Sequence, residues 1–148
     1  SRQSRDNART PVQWDSSDHA GFTTGTPWFR VNPNYTEVNA EAAVADEDSV
    51  FHHYRKLIDL RHELPVVVSG DIRMLLPDDS AIYAYTRSLD RTTMLVLGNF
   101  SSDEVPVPLP DASEWAARRL LLGNYPAPEP EEEGITLRPW ETRVYLRD

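Results

Sequence analysis

The sequence predicts a mainly β protein: an antiparallel β-sandwich or barrel in the second half of the chain, preceded by an irregular arm and one amphipathic helix. Three observations carry this. Apolar residues recur at sustained helical spacing only over residues 50–64. Beyond Pro65, short extended runs alternate with turn signals, and most have no helical stretch between them. The first 36 residues show no period, yet they hold Trp14, Phe22, Trp28, Phe29 and Tyr35.

The arm is broken by Thr10-Pro11, Thr26-Pro27 and Asn32-Pro33, each of which pushes the chain away from helix, and by Gly21 and Gly25. A long loop with this much aromatic surface is expected to pack on something, and such loops are usually functional. Asn39 is a cap for a short helix over 40–45. The next helix has Asp48 or Ser49 as its cap, and acidic residues 46–48 lie near the positive end of its dipole. Val50, Phe51, Tyr54, Leu57, Ile58, Leu60 and Leu64 form a stripe over about half its circumference. That width predicts a helix buried along its length. Arg61 falls inside the stripe and requires a partner. Pro65 ends the helix.

The β segments are expected at 66–68, 72–76, 82–87, 94–97, 105–109, 119–122, 135–137 and 142–146. Residues 82–87 alternate; residues 94–97 are continuously apolar, as in a central strand. Residues 105–109 are proline-rich, which predicts an edge. Turns are expected at 77–80 and 89–91 and in the acidic stretch 126–134.

Composition narrows the function. With 15 basic against 24 acidic residues and a formal net charge of −9, the 148-residue chain lacks the clustered positive charge that draws nucleic acid or an anionic membrane. It has no cysteine, so disulfides, thiolate metal sites and cysteine nucleophiles are all excluded. No apolar run approaches the roughly 20 residues of a membrane helix.

Candidate chemistry concentrates in residues 5–15. Arg5, Asp6, Asn7, Arg9, Gln13 and Asp15 supply planar hydrogen-bonding groups beside the indole of Trp14. Saccharide sites use that mixture, although composition alone favours a polar loop whose arginines and aspartates pair with one another. Asp15 with Asp18, Asp78 with Asp79, and Glu131 to Glu133 are close in sequence but sit in turn-like surroundings, where solvated charge is the simpler reading. His52 and His53 are separated by about 100° around a helix, and His62 is near neither, so no metal site is expected. Tyr83 and Tyr85 share one strand face, a half-buried sheet face or a domain interface.

The stretch Arg5-Asp6-Asn7-Ala8-Arg9-Thr10-Pro11-Val12-Gln13-Trp14-Asp15 continues as His19-Ala20-Gly21-Phe22-Thr23-Thr24-Gly25-Thr26-Pro27-Trp28 and Val31-Asn32-Pro33-Asn34-Tyr35. It resembles the oligo-1,6-glucosidase and α-glucosidase branch of the α-amylase superfamily (glycoside hydrolase family 13), which also holds trehalose-6-phosphate hydrolases and isomaltulose synthases. Asp48-Ser49-Val50-Phe51, Ile82-Tyr83-Ala84-Tyr85, Gly98-Asn99-Phe100 and Leu137-Arg138-Pro139-Trp140-Glu141 continue the match. Val12 departs from it, standing where methionine is common in that family.

The resemblance implies that residues 1–64 are the C-terminal tail of a catalytic (β/α)8 barrel, with an active-site loop and the barrel's last helix. Residues 65–148 are then a C-terminal antiparallel β-sandwich domain. The family's nucleophilic aspartate and acid/base glutamate lie upstream, so no catalytic residue, metal ligand or cofactor is expected in this chain, and alone it is expected to be inactive. Arg5 matches a family arginine that anchors the terminal glucose, and it is the one substrate-binding residue expected. The implied partners are an α-glucoside oligosaccharide and the N-terminal barrel of the same protein, with neither nucleic acid nor membrane, in the cytoplasm. The competing reading is an independent carbohydrate-binding or interaction module.

Overall fold

The computed structural model describes residues 9–110, 112–128 and 134–148. The chain divides into two compact units, Ser1–Ile58 and Asp59–Asp148.

In the first unit, 3-10 turns at Asp18–Gly21 and Pro33–Thr36 precede helix α1, Ala40–Ala45. Asn39 caps α1 as its sequence position predicts: Ala42 N donates to Asn39 Oδ1 at 2.8 Å. Helix α2, Val50–Glu63, starts in this unit and crosses the division. Its cap is Ser49, whose Oγ accepts from His52 N at 3.4 Å and donates to Ala43 O at 2.6 Å.

The apolar stripe of α2 forms as the spacing predicts, but its expected burial does not occur within this chain. No α2 residue is buried, and Val50 and Tyr54 are 83% and 64% exposed. Arg61 is likewise exposed, and no ion pair forms for it among the described residues, so water solvates a charge that was expected to need a protein partner. Each large apolar side chain left in water forfeits roughly 1.5–3 kcal/mol. The isolated 148-residue chain is therefore expected to self-associate through α2, with a weight-average mass that rises with concentration in sedimentation equilibrium. A monomer at every concentration would contradict this.

The second unit corrects one element. Residues 66–68, expected as a strand from their three valines, lie in helix α3, Pro65–Ser69. Pro65 stands at the first helical position, where its missing N–H costs nothing, so one proline both stops α2 and starts α3. Burial of Val66 against Met94 and Leu146 outweighs the β preference of valine. The carbonyls at the end of α3 are satisfied by Arg87, whose Nε donates to Val66 O at 3.1 Å and whose Nη2 donates to Gly70 O at 2.7 Å.

The strands are β1 (Asp71–Met74), β2 (Ile82–Leu89), β3 (Thr92–Asn99), β4 (Val105–Pro106), β5 (Arg119–Gly123), β6 (Thr136–Leu137) and β7 (Thr142–Arg147). Five of them form an antiparallel sheet in the order β1-β2-β3-β7-β5; β4 and β6 pair in a second sheet. The continuously apolar β3 is central, as predicted. The proline-rich strand is a two-residue edge. The β2–β3 hairpin turns through Asp90 at φ 53°, a left-handed conformation that aspartate tolerates.

Alternation along β2 sends Ile82, Ala84 and Thr86 inward and leaves Tyr83 48% exposed. The inner face packs Ala84, Leu95, Leu97 and Tyr145 against Val107, Trp115, Ile135 and Leu137 of the second layer. The opposite face carries the smaller cluster under α3. Among the described residues, no helix is long and apolar enough to cross a membrane.

Candidate functional site

The arm before α1 is a loop braced by its own polar groups. Trp14 N and Asp15 N both reach Ala20 O, at 2.9 and 3.4 Å. His19, Ala20 and Gly21 all sit in the left-handed region, with φ 58°, 60° and 62°. Three such residues in succession reverse the chain tightly and bury Ala20 completely. A Cβ at Gly21 would lie 2.5 Å from Asp15 Oδ2, so a side chain there would have to displace that carboxylate and hold φ 62°. Asp15 Oδ1 accepts from Ser17 N at 2.8 Å and from Ser17 Oγ. The Ser17 hydroxyl and then its backbone N–H hold the Asp15 carboxyl below the usual range.

Gln13 ties this turn to the rest of the arm. Its Nε2 donates to Val38 O and, at 3.2 Å, to Asn34 Oδ1. Its carbonyl accepts from Ala40 N at 2.9 Å, and that of Trp14 accepts from Glu41 N at 2.9 Å, so two donors at the start of α1 are satisfied by residues 13 and 14. The outcome is a fixed platform carrying exposed rings. Trp28 is 94% exposed and stacks beside Phe29 at 6.3 Å between ring centroids. Trp14 is 54% exposed. Gln13 is thus a brace within the arm; the signals for that were the asparagines at 32 and 39, which cap the segments it holds.

Arg5, the one residue expected to bind substrate, lies outside the described residues, as do Asp6, Asn7 and Glu131 to Glu133. Of the other candidates, Asp15, Asp79, His52, Tyr83 and Tyr85 are engaged structurally. Asp79 Oδ1 accepts from Ile82 N and Ala81 N at 2.7 and 2.8 Å, and those two N–H groups lower its pKa. His52 Nε2 donates to Val44 O at 2.9 Å, and its ring meets Phe51 edge-on at 5.1 Å. No group of three metal-ligating side chains forms among the described residues. Tyr83 meets Tyr85 and Phe100 edge-on at 5.6 and 6.3 Å on the outer sheet face; burial raises the Tyr85 hydroxyl above its ordinary pKa.

The second unit holds a feature that the motif pattern alone did not expose. The Glu141 side chain is 1% exposed, and both of its oxygens are taken. Oε2 accepts from Arg138 N at 2.7 Å and Arg143 Nη2 at 3.0 Å; Oε1 accepts from Arg138 Nη2 at 2.7 Å and Arg143 Nε at 2.8 Å. Burial pushes the carboxyl up, but hydrogen bonds from Arg138 and then Arg143 outweigh it and lower the pKa from 4.5 to about 2. This is a structural clamp, closing the end of the sheet where Asn99 Nδ2 also bonds Asp103 O and Arg138 O at 2.7 and 2.9 Å.

Two family models match the chain, one at each end. Residues 1–70 match the alpha amylase catalytic domain, and residues 82–144 match the alpha-amylase SusG C-terminal domain. The chain is 51% identical over 142 residues to an oligo-1,6-glucosidase of Parageobacillus thermoglucosidasius, covering 95% of this chain and 25% of that protein. It is 47% identical over 148 residues to a trehalose-6-phosphate hydrolase of Bacillus subtilis, with 97% and 26% covered. The crystal structure of Bacillus licheniformis trehalose-6-phosphate hydrolase superimposes with a TM-score of 0.88 at 41% identity, over 97% of this chain and 26% of that one. The chain thus spans about a quarter of the length of these relatives. The motif series, the two family models and these relatives agree on one conclusion: this chain belongs to the α-amylase superfamily, where it is similar over nearly its whole length to the oligo-1,6-glucosidase and α-glucosidase branch.

Proposed function

We propose that this chain is the C-terminal portion of an α-glucosidase-type glycoside hydrolase that cleaves α-glucosidic bonds of short oligosaccharides with retention of configuration. Residues 1–64 are the tail of its catalytic barrel, with α2 as the final helix, and residues 65–148 are a stabilising β domain. The observation that carries this reading is the match of 95% of the chain, at 51% identity, to a quarter of an oligo-1,6-glucosidase. The exposed stripe of α2 supports it, because a barrel's outer helix needs a neighbour for that face.

In the parent enzyme the upstream barrel supplies a nucleophilic aspartate and an acid/base glutamate about 5–5.5 Å apart, the separation that retention requires. This chain supplies none of the reacting groups. Its arm forms part of the wall around the terminal glucose, with Arg5 as anchor and the braced turn at Asp15–Gly21 holding the loop in place. The α-glucoside and the barrel are therefore its two partners, and the enzyme works in the cytoplasm.

The test is glucose release from isomaltose. The intact protein is expected to release glucose, whereas the 148-residue chain releases none. Turnover by the chain alone, or an intact protein without α-glucosidase activity, would overturn the reading.

A further inference from the structure

The inner face of the five-stranded sheet is polar at both ends, and the two ends differ. At one, Glu141, Arg143 and Asn99 are buried and bond to each other or to nearby carbonyls. At the other, register places Asp71, Ser88, Thr93 and Arg147 directly opposite one another across β1, β2, β3 and β7, with Arg73 opposite Thr86 in the next row. These side chains line a cleft of about 320 Å³, near the lower bound of ligand pockets.

The cleft has fixed groups and unused ones. Arg147 is fixed: its Nη2 lies 2.9 Å from Glu114 Oε2, its Nη1 donates to Glu114 O at 3.0 Å, and its guanidinium covers the Trp115 ring at 4.7 Å. Ser88 Oγ and Thr93 Oγ1 share one hydrogen bond of 3.2 Å, which leaves each with further capacity. The side chains of Arg73 and Asp71 form no hydrogen bond or ion pair among the described residues, although both line the cleft. Thr86, 9% exposed at its base, likewise keeps its hydroxyl unbonded among them. Two carboxylates and two guanidinium groups sum to no net charge, which disfavours an anion or a cation and favours a neutral ligand rich in hydroxyls. Ile72, Leu75 and Pro110 complete the lining with apolar surface suited to the C–H face of a sugar ring.

We propose that this cleft is a saccharide-binding site taking one glucosyl-sized ring, with Arg73 and Asp71 bonding its hydroxyls above Thr86, Ser88 and Thr93. Cleft and ligand class follow from the geometry; the choice of glucose among neutral polyols rests on the glucoside-processing reading above.

The test uses the intact protein and D-glucose, which has no glycosidic bond to cleave, and reads hydrogen exchange over residues 71–74 and 112–117. Glucose at ten times its dissociation constant is expected to slow that exchange by about tenfold. Arg73→Ala and Thr86→Val should each weaken the site by about tenfold while α-glucosidase turnover is unchanged. No slowing with glucose, equal slowing in both variants, or slowing by inorganic phosphate in place of glucose would overturn the site. Exchange is read without turnover, so an intact protein inactive on glucosides would strike only the preceding proposal.

Discussion

Glu141→Gln is expected to destabilise the β domain by about 3–5 kcal/mol, because it removes the Glu141 carboxylate from a buried ion pair with Arg143. Arg143 is 3% exposed and cannot turn to water, although it keeps Thr136 O at 2.8 Å and Tyr145 Oη at 3.2 Å. Arg138, 32% exposed, has water available and loses less. A domain stability of order 5–15 kcal/mol makes such a loss large. It will appear as a lower urea midpoint for the transition that exposes the β3 amides of the intact protein.

The same residue sets an acid limit. Its pKa is depressed in the fold to about 2 from 4.5, so its stabilising contribution is complete above pH 4.5 and is lost as pH falls through about 2. Glu141→Gln should remove that part of the pH dependence. A double replacement, Glu141→Leu with Arg143→Met, should recover much of the loss, since a buried pair replaced by apolar groups is often neutral. A midpoint unchanged by Glu141→Gln would mean that the clamp does not hold that end of the sheet.

Arg5→Lys in the intact enzyme is expected to lower kcat/KM by about tenfold to a hundredfold, the worth of a charge-assisted hydrogen bond of about 1.5–3 kcal/mol. Lysine keeps the charge but not the planar fork that can engage a carboxylate and a sugar hydroxyl together. Thermal stability should be unchanged, which separates loss of the anchor from loss of the fold. A specificity constant equal to that of the parent would remove Arg5 from the substrate wall.

Most of the sheet was legible because its information is local. Residues 82–87 alternate, residues 94–97 do not, and the register pairs that follow put the first strand beside the second with β3 in the middle. Helix α2 and its stripe were legible for the same reason. Residues 66–68 were misread because three valines favour strand, whereas the deciding groups are distant: Arg87, about twenty residues on, and Leu146 at the far end of the chain. The proline signal at residue 65 has two meanings, helix stop and helix start, and only the stop was used.

The candidate site was less legible. Arg5 came from resemblance to a family, since on composition alone an Arg-Asp-Asn stretch reads as a polar loop. The role of Gln13 needed the positions of Asn34 and Val38, over twenty residues away. The Glu141 clamp lies within six consecutive residues, Arg138 to Arg143, but the sequence does not reveal that the carboxylate turns inward.

The place of β7 in the sheet bears on biosynthesis. It lies between β3 and β5, although among the described residues it is the last strand in chain order. A ribosome therefore releases β1 to β6 before the strand that joins β5 to the rest has emerged. Until residues 142–147 leave the exit tunnel, β3 and β5 each present an unpaired edge, the geometry that invites pairing with a neighbouring nascent chain on the same polysome. Closure of the sheet thus waits for residues 142–147, and the interval before they emerge is when chaperones have most to protect.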